Sequence, residues 1–154
     1  MKTYSQWFQE HGEKHQAIMA KLTHLSPDEV IRYFRFDNMV KNEPDFCELY
    51  KDNKKCHDMK ELNCYLCACP NFRFKESGFN VREGRVLYSA CSISSKEGGQ
   101  FLTDDAIHQD CSGCGVPHYE SYIKKQFSKD WFEIMENVAP EDQLPLSIMA
   151  YSSP

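Results

Sequence analysis

Eight cysteines, all lying between Cys47 and Cys114, constrain this chain of 154 residues more than any other feature. Three of them, Cys64, Cys67 and Cys69, fall within six residues in Leu62-Asn-Cys-Tyr-Leu-Cys-Ala-Cys-Pro70, a density no ordinary apolar core requires. Core cysteines can scatter along a sequence, whereas the ligands of one ion must converge on a point. Confinement of the thiols to the middle of the chain therefore favours ligation. The start, Met1-Lys-Thr-Tyr-Ser-Gln-Trp-Phe-Gln-Glu10, is polar and soon acidic, unlike a secretory signal peptide. No run approaches the ~20 apolar residues that span a bilayer. A cytoplasmic, reducing environment is the expectation, in which clustered thiols bind metal rather than pair as disulfides.

The hydrophobic fraction of 41% and aromatic fraction of 13% argue for a folded globule. The length suits a single domain, residues 1–154, with a core of its own. A net charge of −5 gives no electrostatic reason to expect a nucleic-acid or membrane partner.

Three zones follow from the pattern. In the first, residues 1–44, Trp7, Phe8, Ile18, Met19 and Leu22 are spaced to form one apolar face of a helix over Tyr4 to Leu22. Ser26-Pro-Asp-Glu29 starts a second helix: Ser26 can cap, Pro27 suits the first helical position, and Glu29 can close a capping box. Val30, Ile31, Phe34 and Met39 form its core stripe, and Glu43-Pro44 ends it, because the residue before proline disfavours helical dihedrals. The middle zone, 45–122, holds every cysteine and little helical periodicity. Arg85 to Ile93 reads as a strand, and Glu97-Gly-Gly99 as a turn before a second short strand around Gln100 to Leu102. In the last zone, 123–154, a helix that begins near Tyr119 continues through Phe127. Another, capped by Ser128, carries Trp131, Phe132, Ile134 and Met135, and the tail after Pro140 is expected to be extended.

Cys64-x-x-Cys67 and Cys111-x-x-Cys114 are two metal-knuckle spacings, in which two intervening residues let both sulfurs turn onto one ion. The pairs can complete a tetrahedral zinc site together. Cys56-His57 and Gly113-Cys-Gly-Val-Pro-His118 add histidines, and Cys47, Cys69 and Cys91 remain. Ten candidate ligands exceed the eight that two four-coordinate ions need. Either some are spectators or a cluster or shared ligand is present, and the tight grouping ahead of Pro70 also suggests an iron–sulfur ferredoxin, at a different spacing.

Each feature has a plainer reading. His57 and His118 can be hydrogen-bonded or exposed histidines, and Cys91 a small buried hydrophobe. His11 and His15, one turn apart among Glu10, Glu13 and Lys14, read as a solvated face. Asp104-Asp105 reads as a turn rather than a carboxylate dyad, and Lys51 to Lys60 as a solvated loop. A thioredoxin-type Cys-x-x-Cys needs a strand before and a helix after, which Pro70 argues against. There is no Gly-rich phosphate loop and no Gly-x-Ser-x-Gly elbow, so no catalytic residue is nominated.

Leu62-Asn-Cys-Tyr-Leu-Cys-Ala-Cys-Pro-Asn-Phe72, followed by Gln109-Asp-Cys-Ser-Gly-Cys-Gly-Val-Pro-His118, resembles the cysteine-rich small domain family of bacteria and archaea. The resemblance covers roughly residues 45–122. It matches Cys47 to the family's lone cysteine, Cys56 and His57 to its Cys-His pair, and Cys111, Cys114 and His118 to its closing motif. Cys91 stands for a middle cysteine that the family usually follows with glycines, whereas Ser92 and Ile93 follow here. The resemblance implies a metal-binding domain, sometimes found near or fused to corrinoid-biosynthesis proteins, and supplies no reaction.

The expectation is an α+β domain, with helices at both termini covering a loop-rich, metal-stapled centre and a short β-hairpin. Its metal ligands are drawn from Cys47, Cys56, His57, Cys64, Cys67, Cys69, Cys91, Cys111, Cys114 and His118. The expected cofactor is one or two zinc ions, serving folding and a protein partner or small ligand; the alternative is a [4Fe-4S] cluster in redox, sulfur or corrinoid-related chemistry, and a thiol-rich metal chaperone is the third reading.

Overall fold

The structure is a computed structural model and describes residues 3–139; the expected extended tail after Pro140 lies outside them. The fold is α+β, with helices at both termini and, among the described residues, five α-helices and two small sheets of short strands. The chain divides into two compact units. One is built from the described residues up to Ala68 and from Gly115–Ile134, the other from Cys69–Cys114 and the described residues from Met135.

The first unit is helical. Helix α1 (Tyr4–Lys21) starts at a capping box in which Thr3 Oγ1 accepts from the Gln6 amide and Gln6 Oε1 accepts from the Thr3 amide. Its inward face comprises Phe8, His11, Gly12, His15 and Ile18, with Leu22 beyond the C-terminus. Trp7, expected on that face, is 36% exposed. His11 and His15, expected on a solvated face, are instead 3% and 0% exposed. Helical spacing places them in register with Phe8 and Ile18, and that angular position overrides their charged neighbours. A neutral imidazole serves there as a flat aromatic ring. His11 stacks on Trp7 at 4.8 Å and meets Phe46 and Trp131, while His15 stacks on Phe34 at 4.9 Å and donates from Nε2 to the Tyr65 carbonyl at 3.1 Å. At Gly12 an added Cβ would stand 2.7 Å from Trp131 Cζ3, so only glycine admits the indole there.

Helix α2 (Pro27–Tyr33) begins with the expected Ser26–Glu29 capping box and Pro27 in the first turn. The helix does not run on to Glu43, as its apolar stripe suggested. It ends at Tyr33, Arg35 is extended, and α3 (Phe36–Asn42) follows. The break exists because this stretch pairs with a distant one: Cys64 donates to the Phe34 carbonyl at 2.9 Å and Phe36 to the Leu62 carbonyl at 3.0 Å. Val30, Ile31, Phe34 and Met39 are nonetheless all buried. Helix α4 (Glu120–Gln126) is tied to the break by the Arg35 guanidinium, which forks onto both Glu120 oxygens at 2.7 and 2.8 Å. Helix α5 (Trp131–Ile134) is capped by Asp130, whose Oδ1 accepts from the Phe132 amide; Ser128, the expected cap, instead accepts from Asp130.

In the second unit, strand β1 (Phe72–Phe74) pairs antiparallel with β4 (Ser89–Cys91), placing Phe72 opposite Cys91. The other sheet has the order β2 (Asn80–Arg82), β3 (Arg85–Leu87), β6 (Ala106–Asp110), β5 (Gly99–Leu102), with β3 and β6 parallel. The single strand expected over Arg85 to Ile93 is thus two, parted at Tyr88 and assigned to different sheets. A turn at Ser95–Gly98 leads into β5, as expected of Glu97-Gly-Gly99, but does not pair β5 with β4. The hairpins of this sheet are β2–β3, across Glu83-Gly84, and β5–β6, across Asp104-Asp105, the other expected turn. Leu87, Ala106, Ile107, Met135 and Val138 are buried here. No helix among the described residues is long and apolar enough to cross a membrane.

Burial holds His11 down to about 4 and His15 down to about 3, so both are neutral in the fold. Their folded values lie below the ordinary 6.5, so the unfolded chain binds protons first. Stability is therefore complete above pH 6.5 and falls as pH drops toward 4, by on the order of 3 kcal/mol per histidine. Urea unfolding across that range is expected to show a markedly shallower acid limb in a His11→Phe/His15→Phe variant. Gly12→Ala is expected to lower stability by about 1–3 kcal/mol through overpacking, although alanine normally favours a helix.

Candidate metal centre

The first unit brings together six of the ten candidate ligands. Cys47 precedes a 3₁₀ turn (Glu48–Asp52), and its carbonyl accepts from Tyr50 at 3.0 Å. Cys56 and His57 lie on the following loop, where Cys56 is exposed. Most of Lys51 to Lys60 is exposed too, as expected of that segment. Cys64 and Cys67 close a turn through the Cys67 amide and the Cys64 carbonyl at 3.3 Å. His118 ends a second 3₁₀ turn (Val116–His118), started by Pro117.

Cys56 Sγ and one ring nitrogen from each of His57 and His118 all lie within 4.8 Å of one another. His57 Nδ1 is 3.1 Å from the sulfur, and His118 Nε2 is 3.7 Å from it. This is the only trio of cysteine, histidine or carboxylate donors so closely grouped among the described residues. His118 is 4% exposed, and burial holds it down to about 4, so its ring is neutral. Its Nδ1 sits 2.8 Å from the Asn63 carbonyl. A carbonyl can only accept, so Nδ1 carries the proton and Nε2 presents a bare lone pair toward Cys56. Metal-binding histidines are held in this way, with the remote nitrogen donating to a backbone oxygen.

Cys47, Cys64 and Cys67 belong to the same unit. Burial, then the charges of Cys56 and Cys47, pushes the Cys64 thiol up to about 12. Burial, then Cys64, Cys56 and Cys47, raises Cys67 well above the ordinary thiol range. A cavity of about 460 Å³ lined by Lys55 to Lys60 leaves the Cys56 and His57 edge open to solvent.

The remaining candidates, Cys69, Cys91, Cys111 and Cys114, belong to the second unit. Burial and then Cys91 and Cys114 push Cys69 up to about 11; burial and then Cys69, Cys114 and Cys91 do the same to Cys111. The sequence suggested that the two Cys-x-x-Cys knuckles complete one site between them. In the structure, the thiols acting on each knuckle come from its own unit: Cys47 and Cys56 act on Cys64 and Cys67, and Cys69 and Cys91 on Cys111.

Two residues that the sequence reading left without a role organise these groups. Asn63, 0% exposed, has every polar group engaged. Its Oδ1 accepts from Tyr65 at 2.9 Å, its Nδ2 donates to the Ile31 carbonyl at 2.7 Å and to Glu120 at 3.0 Å, and its carbonyl takes the His118 proton. Its signal in the sequence was its place directly before Cys64. Ser95 donates its amide to Cys91 Sγ at 3.5 Å and sets its hydroxyl 3.3 Å from Cys114 Sγ; no motif marked it.

No family model, no curated protein and no solved structure matches this chain. Asn63→Ala removes two buried side-chain hydrogen bonds and a part-buried one, and is expected to cost about 2–4 kcal/mol in urea unfolding, well beyond an average substitution.

Proposed function

We propose that this chain is a metal-binding protein whose Cys56, His57 and His118 cluster, backed by Cys47, Cys64 and Cys67, coordinates zinc. The observation that carries the reading is His118: a buried, neutral imidazole whose Nδ1 proton is committed to the Asn63 carbonyl while Nε2 faces a thiol and a second histidine. Mixed sulfur and nitrogen donors suit zinc, whereas most iron–sulfur clusters take thiolates alone. The resemblance to the cysteine-rich small domain family supports the same reading. The metal serves folding, with structural zinc worth on the order of 10 kcal/mol in small domains. The open cavity beside Cys56 and His57 gives a small ligand or a partner side chain access to the ion's outer edge. A second cysteine set offers the iron–sulfur alternative its best ground, since thiolates alone meet there.

Protein purified without oxygen is expected to be colourless and to contain zinc, and its melting temperature to fall on chelation. His118→Phe, which keeps the ring and removes the nitrogen, is expected to weaken zinc binding by more than about tenfold. A brown preparation, or a His118→Phe protein with undiminished zinc affinity, would sink the proposal.

A further inference from the structure

The second unit carries four thiols that four separate backbone devices bring to one place. Cys69 opens a turn closed by Phe72, whose amide lies 3.1 Å from the Cys69 carbonyl. Cys69 adopts a left-handed φ of 55°, and the amides of Asn71 and Phe72 hydrogen-bond to its sulfur. The β1–β4 pairing then sets Cys91 opposite Phe72. Cys91 opens a second turn of the same kind, closed by Ser94 at 3.2 Å with a left-handed φ of 47°, after which the Ser95 amide reaches the Cys91 sulfur. Cys111 follows the last residue of β6 and opens a third turn, closed by the Cys114 amide at 3.0 Å. Asp110 braces that turn by accepting from the Ser112 amide and hydroxyl at 2.9 and 2.6 Å. Ser95 spans the set from Cys91 to Cys114.

The backbone links the four in series. Phe72, which closes the Cys69 turn, lies opposite Cys91; Ser95 reaches both Cys91 and Cys114; and the Cys114 amide closes the turn that Cys111 opens. The sulfurs are not drawn within 4.8 Å as the Cys56, His57 and His118 donors are, so an ion would pull them inward. Turns that open on a cysteine and aim following amides back at its sulfur are what a thiolate site needs, because amide hydrogen bonds offset the negative charge that four thiolates bring. Asp110, the carboxylate that acts on Cys111, is engaged with Ser112.

We infer that Cys69, Cys91, Cys111 and Cys114 form a second metal site, all-thiolate and four-coordinate, that takes a zinc-class divalent ion independently of the cysteine–histidine cluster. The inference extends the reading of this chain as a zinc protein and divides the ten candidate ligands into six and four. Four thiolates close the coordination shell of zinc, so this ion is structural, whereas the mixed site has donors to spare and an open edge.

The test uses the full chain, stripped with a chelator under reducing conditions and reloaded with zinc or cobalt(II). Wild type is expected to take up about two ions, one for each four-coordinate set. Cys111→Ser/Cys114→Ser is expected to lose one ion and keep the one that His118→Phe weakens. Cys64→Ser/Cys67→Ser is expected to keep an ion whose cobalt form shows only thiolate charge-transfer bands. Cys111→His, which retains a donor, guards against misfolding: it should still load, with a cobalt spectrum shifted toward mixed ligation. The inference is overturned if the Cys111/Cys114 variant keeps a full metal complement, if both double variants lose the same ion, or if iron–sulfur absorption fills the second unit. Failure of the zinc reading for the cysteine–histidine cluster looks different: one ion is bound, lost with Cys111/Cys114 and indifferent to His118→Phe.

Discussion

The arrangement of the helical unit turns on the burial of a single amide side chain. Asn63 is sealed from water, so each of its donors and acceptors must find a protein partner or leave a penalty of about 1–3 kcal/mol. Meeting that requirement fixes much else. Nδ2 takes the Ile31 carbonyl near the end of α2 and the Glu120 carboxylate at the start of α4, and Oδ1 shapes the turn into Tyr65. The backbone carbonyl selects the His118 tautomer. Arg35 reaches the same Glu120, so a charged pair reinforces the knot from its exposed side. Helix break, knuckle turn and histidine are consequences of one residue's satisfaction.

Local signals in the sequence were reliable where the physics is local. Ser26, Pro27 and Glu29 form the capping box that their order predicts, and Asp104-Asp105 makes its turn. The α+β class and the terminal helices were readable in the same way. Signals failed where a distant partner decides. Nothing between Val30 and Met39 announces that Arg35 will be drawn straight by Asn63, nor does Arg85 to Ile93 disclose that Tyr88 divides it between two sheets. His11 and His15 were misjudged for another reason. Their chemistry outweighed their angular position, although a neutral imidazole packs between Phe34 and Tyr65 much as a phenyl ring would.

The ten candidate ligands show the same division. Spacing nominates them, but not their division between the two units, because Cys64-x-x-Cys67 and Cys111-x-x-Cys114 look like matched halves in one dimension. Sheet register and turn closure decide which sulfur neighbours which. Cys69 falls with the second group, and the chain changes allegiance between Cys67 and Cys69 through two successive left-handed residues, Ala68 at φ 91° and Cys69 at φ 55°. An alanine and a cysteine held in a region that favours glycine point to a backbone constrained from both ends.

The way His118 is held bears on how far the cluster beside it must reorganise. Its ring is oriented by a carbonyl within the helical unit, so the orientational freedom of that donor is spent in folding. For an ion taken up as proposed, the search for geometry would fall on Cys56 and His57, which stand on a loop that is mostly exposed. Affinity there would be set by how readily that loop closes onto a ring already in place.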